Sequence, residues 1–325
     1  MRKKTFSKIL FLSFLAVTCL LVNLSTCQPA CALTPGTTAA QFLKIPIGAR
    51  AIGMGEAFVA LSDDVSSLYW NPAGLTKLKQ SQITYMHSFW FQDITCDYLG
   101  YAQYFDNDKN ATFGCSAMFL NSGDIRRTLE DASGNYIGTG SNFSSYDIMA
   151  TLSSAWKMFD VWSIGASLKF IYSTIDEARG SAFSSDIGIL LDATQQLTLG
   201  ANLQNVFVPI SMRYYESTAS VSDIHPLPMN TKVGACYKFD AVSLATLDVN
   251  FPSDNNINVH IGGEYLYNNM ALRLGYKTDF IQGLDFLSGL CAGIGLNWKN
   301  YELDYAFVPY GDLGLTHRIS VLLKF

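Results

Sequence analysis

The chain is 325 residues long, with 22 Lys and Arg against 27 Asp and Glu and a formal net charge of −5, a balance that disfavours a nucleic-acid partner. Hydrophobic residues make up 49% and charged residues only 15%, against about 25% in an average soluble domain. That composition excludes intrinsic disorder and leaves a surface short of charge.

Taken in chain order, Arg2, Lys3, Lys4 and Lys8 precede an apolar run from Ile9 to Leu24, and Ala30, Cys31 and Ala32 follow. This predicts a secretory signal peptide over 1–32, cleaved after Ala32. An anchor helix fits less well because the run is short, and lipidation at Cys27 is disfavoured by Thr26 just before it. Cleavage would leave 18 bases against 27 acids, a net charge of −9. After residue 24 no apolar run approaches the roughly 18 residues a spanning helix needs, which disfavours a helical membrane bundle. Of the seven cysteines, Cys96, Cys115, Cys236 and Cys291 would remain; with no C-x-x-C pair and no histidine beside them, they read as small apolar packers rather than metal ligands.

Residues 33–80 show no strand alternation and hold the most distinctive stretch of the chain, GARAIGMGEAFVALSDDVSSLYWNPAGL over residues 48–75. Ser62 or Asp63 is placed to cap a short helix running to about Tyr69. Pro72 stops Asn71 from continuing that helix, while Asn71 can cap a new turn with Pro at its first position. Gly48, Gly53 and Gly55 permit close approach of backbone to a wall of side chains. A nucleotide loop is a poor reading of Gly53-x-Gly55, since there is neither a third glycine nor a βαβ context. The Asn71-Pro72-Ala73 turn is, on physics alone, as readily a plain helix boundary as a gate.

From about residue 83 to the end the pattern has period two. Trp162, Ile164, Ala166, Leu168 and Phe170 alternate with Ser163, Gly165, Ser167, Lys169 and Ile171, and Tyr301, Leu303 and Tyr305 with Glu302, Asp304 and Ala306. Successive side chains on a strand point to opposite faces, so this marks sheet between two different media. About fourteen strands are predicted, at 83–91, 94–105, 111–120, 143–157, 161–175, 183–193, 197–207, 229–239, 242–251, 257–267, 271–279, 286–298, 301–309 and 316–325. Tight turns at 106–110, 159–160, 194–196, 240–241, 268–269 and 299–300 alternate with generally longer connections, above all 121–142 and 208–228. An even strand count with short turns on one side is the signature of a transmembrane antiparallel β-barrel whose ends are periplasmic, here over 81–325. Trp156, Trp162, Trp298, Tyr301, Tyr265, Tyr267 and Phe239 cluster at the tight turns, as an interfacial aromatic belt requires. The last strand alternates Ile319, Val321, Leu323 and Phe325 with Arg318, Ser320, Leu322 and Lys324, and its terminal Phe325 resembles the signal read by barrel-insertion machinery. Closure is obligatory, because each unpaired backbone group in hydrocarbon costs several kcal/mol.

The 48–75 stretch resembles the start of the PorV/PorQ family and of the uncharacterised UPF0164 group, distant kin of FadL-type long-chain fatty acid transporters that share the Gly-rich segment, the paired acids Asp63 and Asp64, and the Asn-Pro-Ala triplet. The match is specific over about 30 residues; beyond it only architecture agrees. The resemblance implies an all-β, FadL-like barrel of fourteen strands whose small helical segment 33–80 folds into the lumen as a hatch, with Gly48, Arg50, Gly53, Gly55, Asp63, Asp64, Asn71, Pro72 and Ala73 as gating candidates.

No H-E-x-x-H, G-x-S-x-G or P-loop is present, and His87, His225, His260 and His317 lie far apart, so neither an enzyme, nor a metal site, nor a cofactor is indicated. His260, Glu264, Arg273 and Lys277 face one another across the turn at Asn268-Asn269 and read as an ion-pair lattice stiffening the wall in preference to a ligand site; Lys169, Asp186, Asp192 and Lys232 are placed inward as well. The expected function is passive uptake of hydrophobic or amphipathic small molecules, such as long-chain fatty acids, across an outer membrane, with membrane lipid and the insertion machinery as partners. The alternatives are a PorV-like secretion accessory whose loops 121–142 and 208–228 receive protein cargo, and a structural surface barrel. Leu203 is expected to face lipid and Asn202 the lumen.

Overall fold

The computed structural model describes residues 36–92, 94–105, 111–207, 210–216, 219–279, 286–311 and 314–325, with only the backbone given for 207, 211–216, 219–223 and 286. The leader over 1–32, its cleavage site, Cys27 and the turn at 106–110 lie outside the described residues.

Sixteen strands form one sheet: β1 Gln82–Phe89, β2 Thr95–Gln103, β3 Ala111–Glu130, β4 Tyr136–Met158, β5 Trp162–Ile175, β6 Ala178–Asp192, β7 Leu197–Phe207, β8 Ile210–Glu216, β9 Ala219–His225, β10 Asn230–Lys238, β11 Ser243–Pro252, β12 Asn258–Tyr267, β13 Met270–Lys277, β14 Leu290–Trp298, β15 Tyr301–Pro309 and β16 Leu315–Lys324. Neighbours run antiparallel from β1 to β7, β7 pairs with β10, and the meander continues to β16, which pairs with β1 from Gln82↔Lys324 to Phe89↔His317. The result is a closed barrel of fourteen strands with no free edge, as the alternation and the even count required. The hairpin β8–β9 is an extra ribbon that joins β6 at Arg179 to Ser181.

Each wall strand puts one parity outward and the other into the bore. Outward positions are large and apolar: Leu168 is 55% exposed and Leu274 63%. Inward ones are small or polar and buried, such as Ser153, Ser167, Asn202 and Thr246. Trp156, Trp298, Tyr301, Tyr265, Tyr267 and Phe239 stand exposed near the tight turns, and Phe325 stacks on Tyr101 with ring centres 6.3 Å apart. Among the described residues no helix is long and apolar enough to cross a membrane.

Three expectations need correcting. The connections 121–142 and 208–228 are largely strand: β3 and β4 continue as a two-stranded ribbon past Asn121 and Ser145, where pairing with β2 and β5 stops, and β8–β9 fills the second. Both faces of the first ribbon are solvated, so its sequence has no two-medium alternation to betray it. Leu203 is only 4% exposed although its parity is outward; its register partner Thr231 is buried too, so that patch of the outer face is covered. Cys115 lies exposed on the outer face, while Cys96, Cys236 and Cys291 are buried as packers.

Candidate functional site

The bore is filled by the chain before β1. A 3-10 turn at Gln41–Lys44, a short helix at Ala49–Gly53, a helix at Ser67–Trp70 and a 3-10 turn at Pro72–Lys77 follow one another, and most of their side chains are fully buried. Because these turns touch the inward faces of β3 to β6 on one side and β13 to β16 on the other, the segment lies inside the barrel.

Glycines on both partners set the closeness of this packing. A Cβ on Gly53 would lie 2.9 Å from the Gly293 Cα, one on Gly275 2.5 Å from the Gly55 Cα, and one on Gly165 2.7 Å from the Pro72 oxygen. Carbon atoms normally meet at about 3.5–4.0 Å, so any side chain there would displace backbone. Gly48 and Gly55 also hold positive φ, at 83° and 65°, a conformation that favours glycine.

Asn71 stands where the segment's second half turns. Its amide donates to the carbonyls of Val59 at 2.9 Å and Ile189 at 3.1 Å, and its Oδ1 accepts from the Ala73 N–H at 3.2 Å, capping the turn that Pro72 begins. The wall reciprocates: Asn202 donates to the Trp70 carbonyl and Gln204 to that of Tyr69, each at 2.7 Å. The helix spans Ser67–Trp70 and its N-cap position is Ser66, not Ser62 or Asp63 as expected. The reason is local: Asp64 Oδ1 accepts from the Ser66 N–H at 2.8 Å, holding residues 64–66 in a turn, while the Ser62 hydroxyl donates to the Phe58 carbonyl at 2.7 Å.

Ion pairs tie the segment to the wall at three points. Arg50 grips Glu264 with Nε and Nη2, both at 2.9 Å, and turns Nη1 to Asp63 at 2.7 Å and Asp64 at 3.1 Å. Glu264 also accepts from Arg273 Nε at 2.7 Å, and Arg273 reaches Asp304 and, at 3.3 Å, Glu302, which meets Lys324 at 3.2 Å. The second tie is Lys277 to Glu56 at 2.5 Å and the third Lys44 to Asp254 at 2.5 Å. A planar guanidinium holding one carboxylate by two bonds fixes angle as well as distance, so Arg50 orients the helix Ala49–Gly53.

The register therefore brings Glu264 opposite Arg273 and His260 opposite Lys277, as their spacing about the turn suggested, while Lys169 pairs with Asp186 at 2.7 Å in a separate buried couple. The structure adds Glu56, Asp254, Asp279, Glu302 and Asp304 to these groups. Parity places Glu302 and Asp304 inward, but nothing periodic links Glu56 to its wall partner. Among the described residues one trio has metal-ligand spacing, Glu56, His260 and Asp279, with ligand atoms within 4.8 Å of one another. Lys277 Nζ, at 2.5 Å from Glu56 and 3.8 Å from Asp279, already takes the place of a cation there.

Glu56, His260, Lys277 and Asp279 also line a cavity of about 520 Å³, together with Lys44, Tyr69, Trp90, Lys232, Asp254 and Tyr310. A second, of about 460 Å³, lies between residues 36–42 and the inner faces of β3 to β5, at Asp147 and Ser173.

No curated protein matches the sequence. Solved structures do match the fold. The Pseudomonas putida toluene transporter TodX superimposes with a TM-score of 0.59 at 13% identity, over 85% of this chain and 96% of its own. The Ralstonia pickettii toluene transporter TbuX gives 0.61 at 13% identity over 86% and 98%, and a Pseudomonas aeruginosa FadL homologue 0.60 at 13% over 86% and 98%. The chain thus shares the barrel fold of these FadL-like proteins. The model of the uncharacterised protein family UPF0164 matches residues 25–213, more than half of the chain, and the protein belongs to that family.

Proposed function

We propose that the protein sits in an outer membrane and passes hydrophobic or amphipathic small molecules passively through the barrel, with residues 33–80 as a movable hatch behind a signal peptide over 1–32. The observation that carries this reading is how the bore is closed. Among the described residues the segment is held by ion pairs, side-chain hydrogen bonds, glycine contacts and a backbone bond from the Ala39 N–H to the Pro226 carbonyl, with no strand pairing to the wall, so it can shift without opening the sheet. Structural neighbours named as toluene transporters and as monoaromatic hydrocarbon channels support the solute class. The outward apolar band and the turn-side aromatics support the location. Phe325 at the end of the closing strand is the candidate contact for insertion machinery. Gly53, Gly55, Arg50, Asp63, Asp64, Asn71, Pro72 and Ala73 are assigned to holding the hatch, and no cofactor enters the mechanism.

Deleting 36–78 tests this. An inserted, heat-modifiable barrel with raised solute leakage is expected; unchanged permeability contradicts the plug. A second reading, a secretion accessory, is favoured by the β3–β4 ribbon, which stands clear of the barrel with Tyr136 and Ile137 exposed. Co-purification of secreted proteins, lost when residues 123–142 are replaced by a short turn, would select it.

A further inference from the structure

Lipid tails offer no hydrogen-bond partner, so an ionisable side chain on the outer face of a barrel wall needs a reason. Three such groups stand on adjacent strands: Asp97 on β2, His87 on β1 and His317 on β16. Register sets Asp97 opposite His87, and His317 opposite Phe89, the next outward position of β1. His87 and Asp97 lie two residues inside the strand ends at Phe89 and Thr95, on the side of the wall away from the tight turns.

Elsewhere the outward face is apolar. Among the described residues no other Asp, Glu, Lys, Arg or His takes an outward position in the wall; Arg179 does so only where β6 has left β7 for the hairpin β8–β9. At the outward positions of β12, β13 and β14, for example, stand Ile261, Tyr265, Leu272, Leu274, Ile294 and Leu296. A general need for polarity at the headgroup boundary would place charges on all sides of the barrel, whereas these occupy one arc.

The three groups are only partly satisfied by one another. Asp97 Oδ1 accepts from the Tyr85 hydroxyl at 2.6 Å and from His87 Nδ1 at 2.7 Å, and the Tyr305 hydroxyl meets His317 Nδ1 at 2.7 Å. Among the described residues Asp97 Oδ2 and the Nε2 atoms of His87 and His317 have no partner. Around them Tyr85 is 48% exposed, Phe89 50% and Leu99 49%, and exposed aromatics beside a polar pair are what a protein interface uses as anchors.

The layout is complementary to itself. Two copies inserted the same way up are related by a two-fold axis along the membrane normal. If that axis passes beside β1, then β1 faces β1, and β2 of each copy faces β16 of the other. Asp97 of one copy then meets His317 of its partner, and the same contact is made a second time by symmetry. Each is an acid with a free oxygen against a base with a free nitrogen, and a charge-assisted hydrogen bond of this kind gains strength away from water.

We propose that the β2–β1–β16 arc is a dimer interface, on which a second copy of this chain packs within the membrane through reciprocal Asp97–His317 contacts. The inference asks only that the barrel stand in a bilayer and is independent of what passes through its bore.

The test uses the full-length protein in lipid bilayers with Cys115→Ser, which removes the exposed native thiol. Ile83→Cys, outward on β1, should be joined into a covalent dimer by a short bismaleimide, and Leu272→Cys on β13 should not. In neutral detergent, native mass spectrometry should show a dimer whose dissociation constant rises at least tenfold in Asp97→Leu and in His317→Leu. The double variant should dissociate no more readily than either single one, since both remove the same contact. A monomer at every concentration, equal joining at the two cysteine positions, or a dissociation constant indifferent to Asp97→Leu overturns the proposal. So does a monomer that carries a lipid released by Asp97→Leu, which would give the arc to a headgroup. Should Asp97→Leu not insert, the wild-type mass and the two cysteine positions still decide it. Uptake by a protein shown to be monomeric refutes the dimer alone, and a dimer without uptake refutes transport alone.

Discussion

Replacing Gly275 by Ala adds one methyl group to the inward face of β13, where its Cβ would lie 2.5 Å from the Gly55 Cα. Ordinary carbon contacts begin near 3.5 Å, so the overlap is about 1 Å, and it falls on backbone that no rotamer change can move away. Gly55 is itself held at a φ of 65°, which limits how far its peptide can turn to make room. An extra methylene in a packed core costs about 1–3 kcal/mol, and this one belongs at the upper end. Because the clash is between wall and hatch, the loss should appear as a loosened hatch in an intact barrel. Gly263→Ala is the matched control: it lies on β12, and its Cβ would come no closer than 3.8 Å, to the Leu244 oxygen. Urea unfolding in detergent and planar-bilayer conductance read the two effects. Gly275→Ala should lower stability by about 2–3 kcal/mol and raise conductance, with Gly263→Ala within about 0.5 kcal/mol of wild type on the same scale. Indistinguishable stability and conductance for the two variants would refute the packing of the segment against β13.

Leu168→Arg places a charge on the outward face of β5 and should cost about 2–4 kcal/mol in lipid, whereas Leu129→Arg, on the solvated β3–β4 ribbon, should change stability by less than about 0.5 kcal/mol in the same unfolding assay. Arg50→Met leaves Glu264, Asp63 and Asp64 without their shared cation and should cost about 3–5 kcal/mol; Glu264→Gln in the same chain should recover part of that loss in a double-mutant cycle. At the ribbon tip, the Asp131 carboxylate is held below its usual range, first by the Asn135 backbone N–H and then by the Asn135 side chain and the Ser133 N–H. A lowered carboxylate pKa stabilises the folded turn above the unfolded value near 4, and that support is lost as pH falls through the lowered one. Proteolytic nicking at residues 131–135 by an acid protease should therefore stay flat down to about pH 4 and rise only below it.

Strand positions were legible wherever one face meets apolar surroundings and the other the bore. Tyr301 to Phe307 alternates in sequence and in the structure, and β7 and β15 have the bounds their patterns suggested to within a residue. The ribbon past Asn121 and the hairpin β8–β9 lack that contrast, so their sequence reads as loop. Within the bore, the pairing of Glu264 with Arg273 could be foreseen because the tight turn at Asn268-Asn269 sets the register of β12 on β13. Ties between the segment and the wall could not. Arg50 to Glu264 spans 214 positions and Glu56 to Lys277 spans 221, and no periodicity relates a non-strand segment to the barrel around it. Leu203 shows the remaining limit, since parity names the face of a residue but not what covers it.

Passage through the lumen requires the segment to move, and a reversible tether tests this most directly. The Ala49 N–H donates to the Ser320 hydroxyl at 3.2 Å, so Ala49→Cys with Ser320→Cys sets two thiols at the junction of segment and wall. Uptake of benzyl alcohol into proteoliposomes is then followed before and after reduction. The account predicts that the oxidised protein is blocked and that reduction restores wild-type uptake. Equal uptake by the oxidised and reduced forms, with the disulfide verified by mass spectrometry, would contradict it.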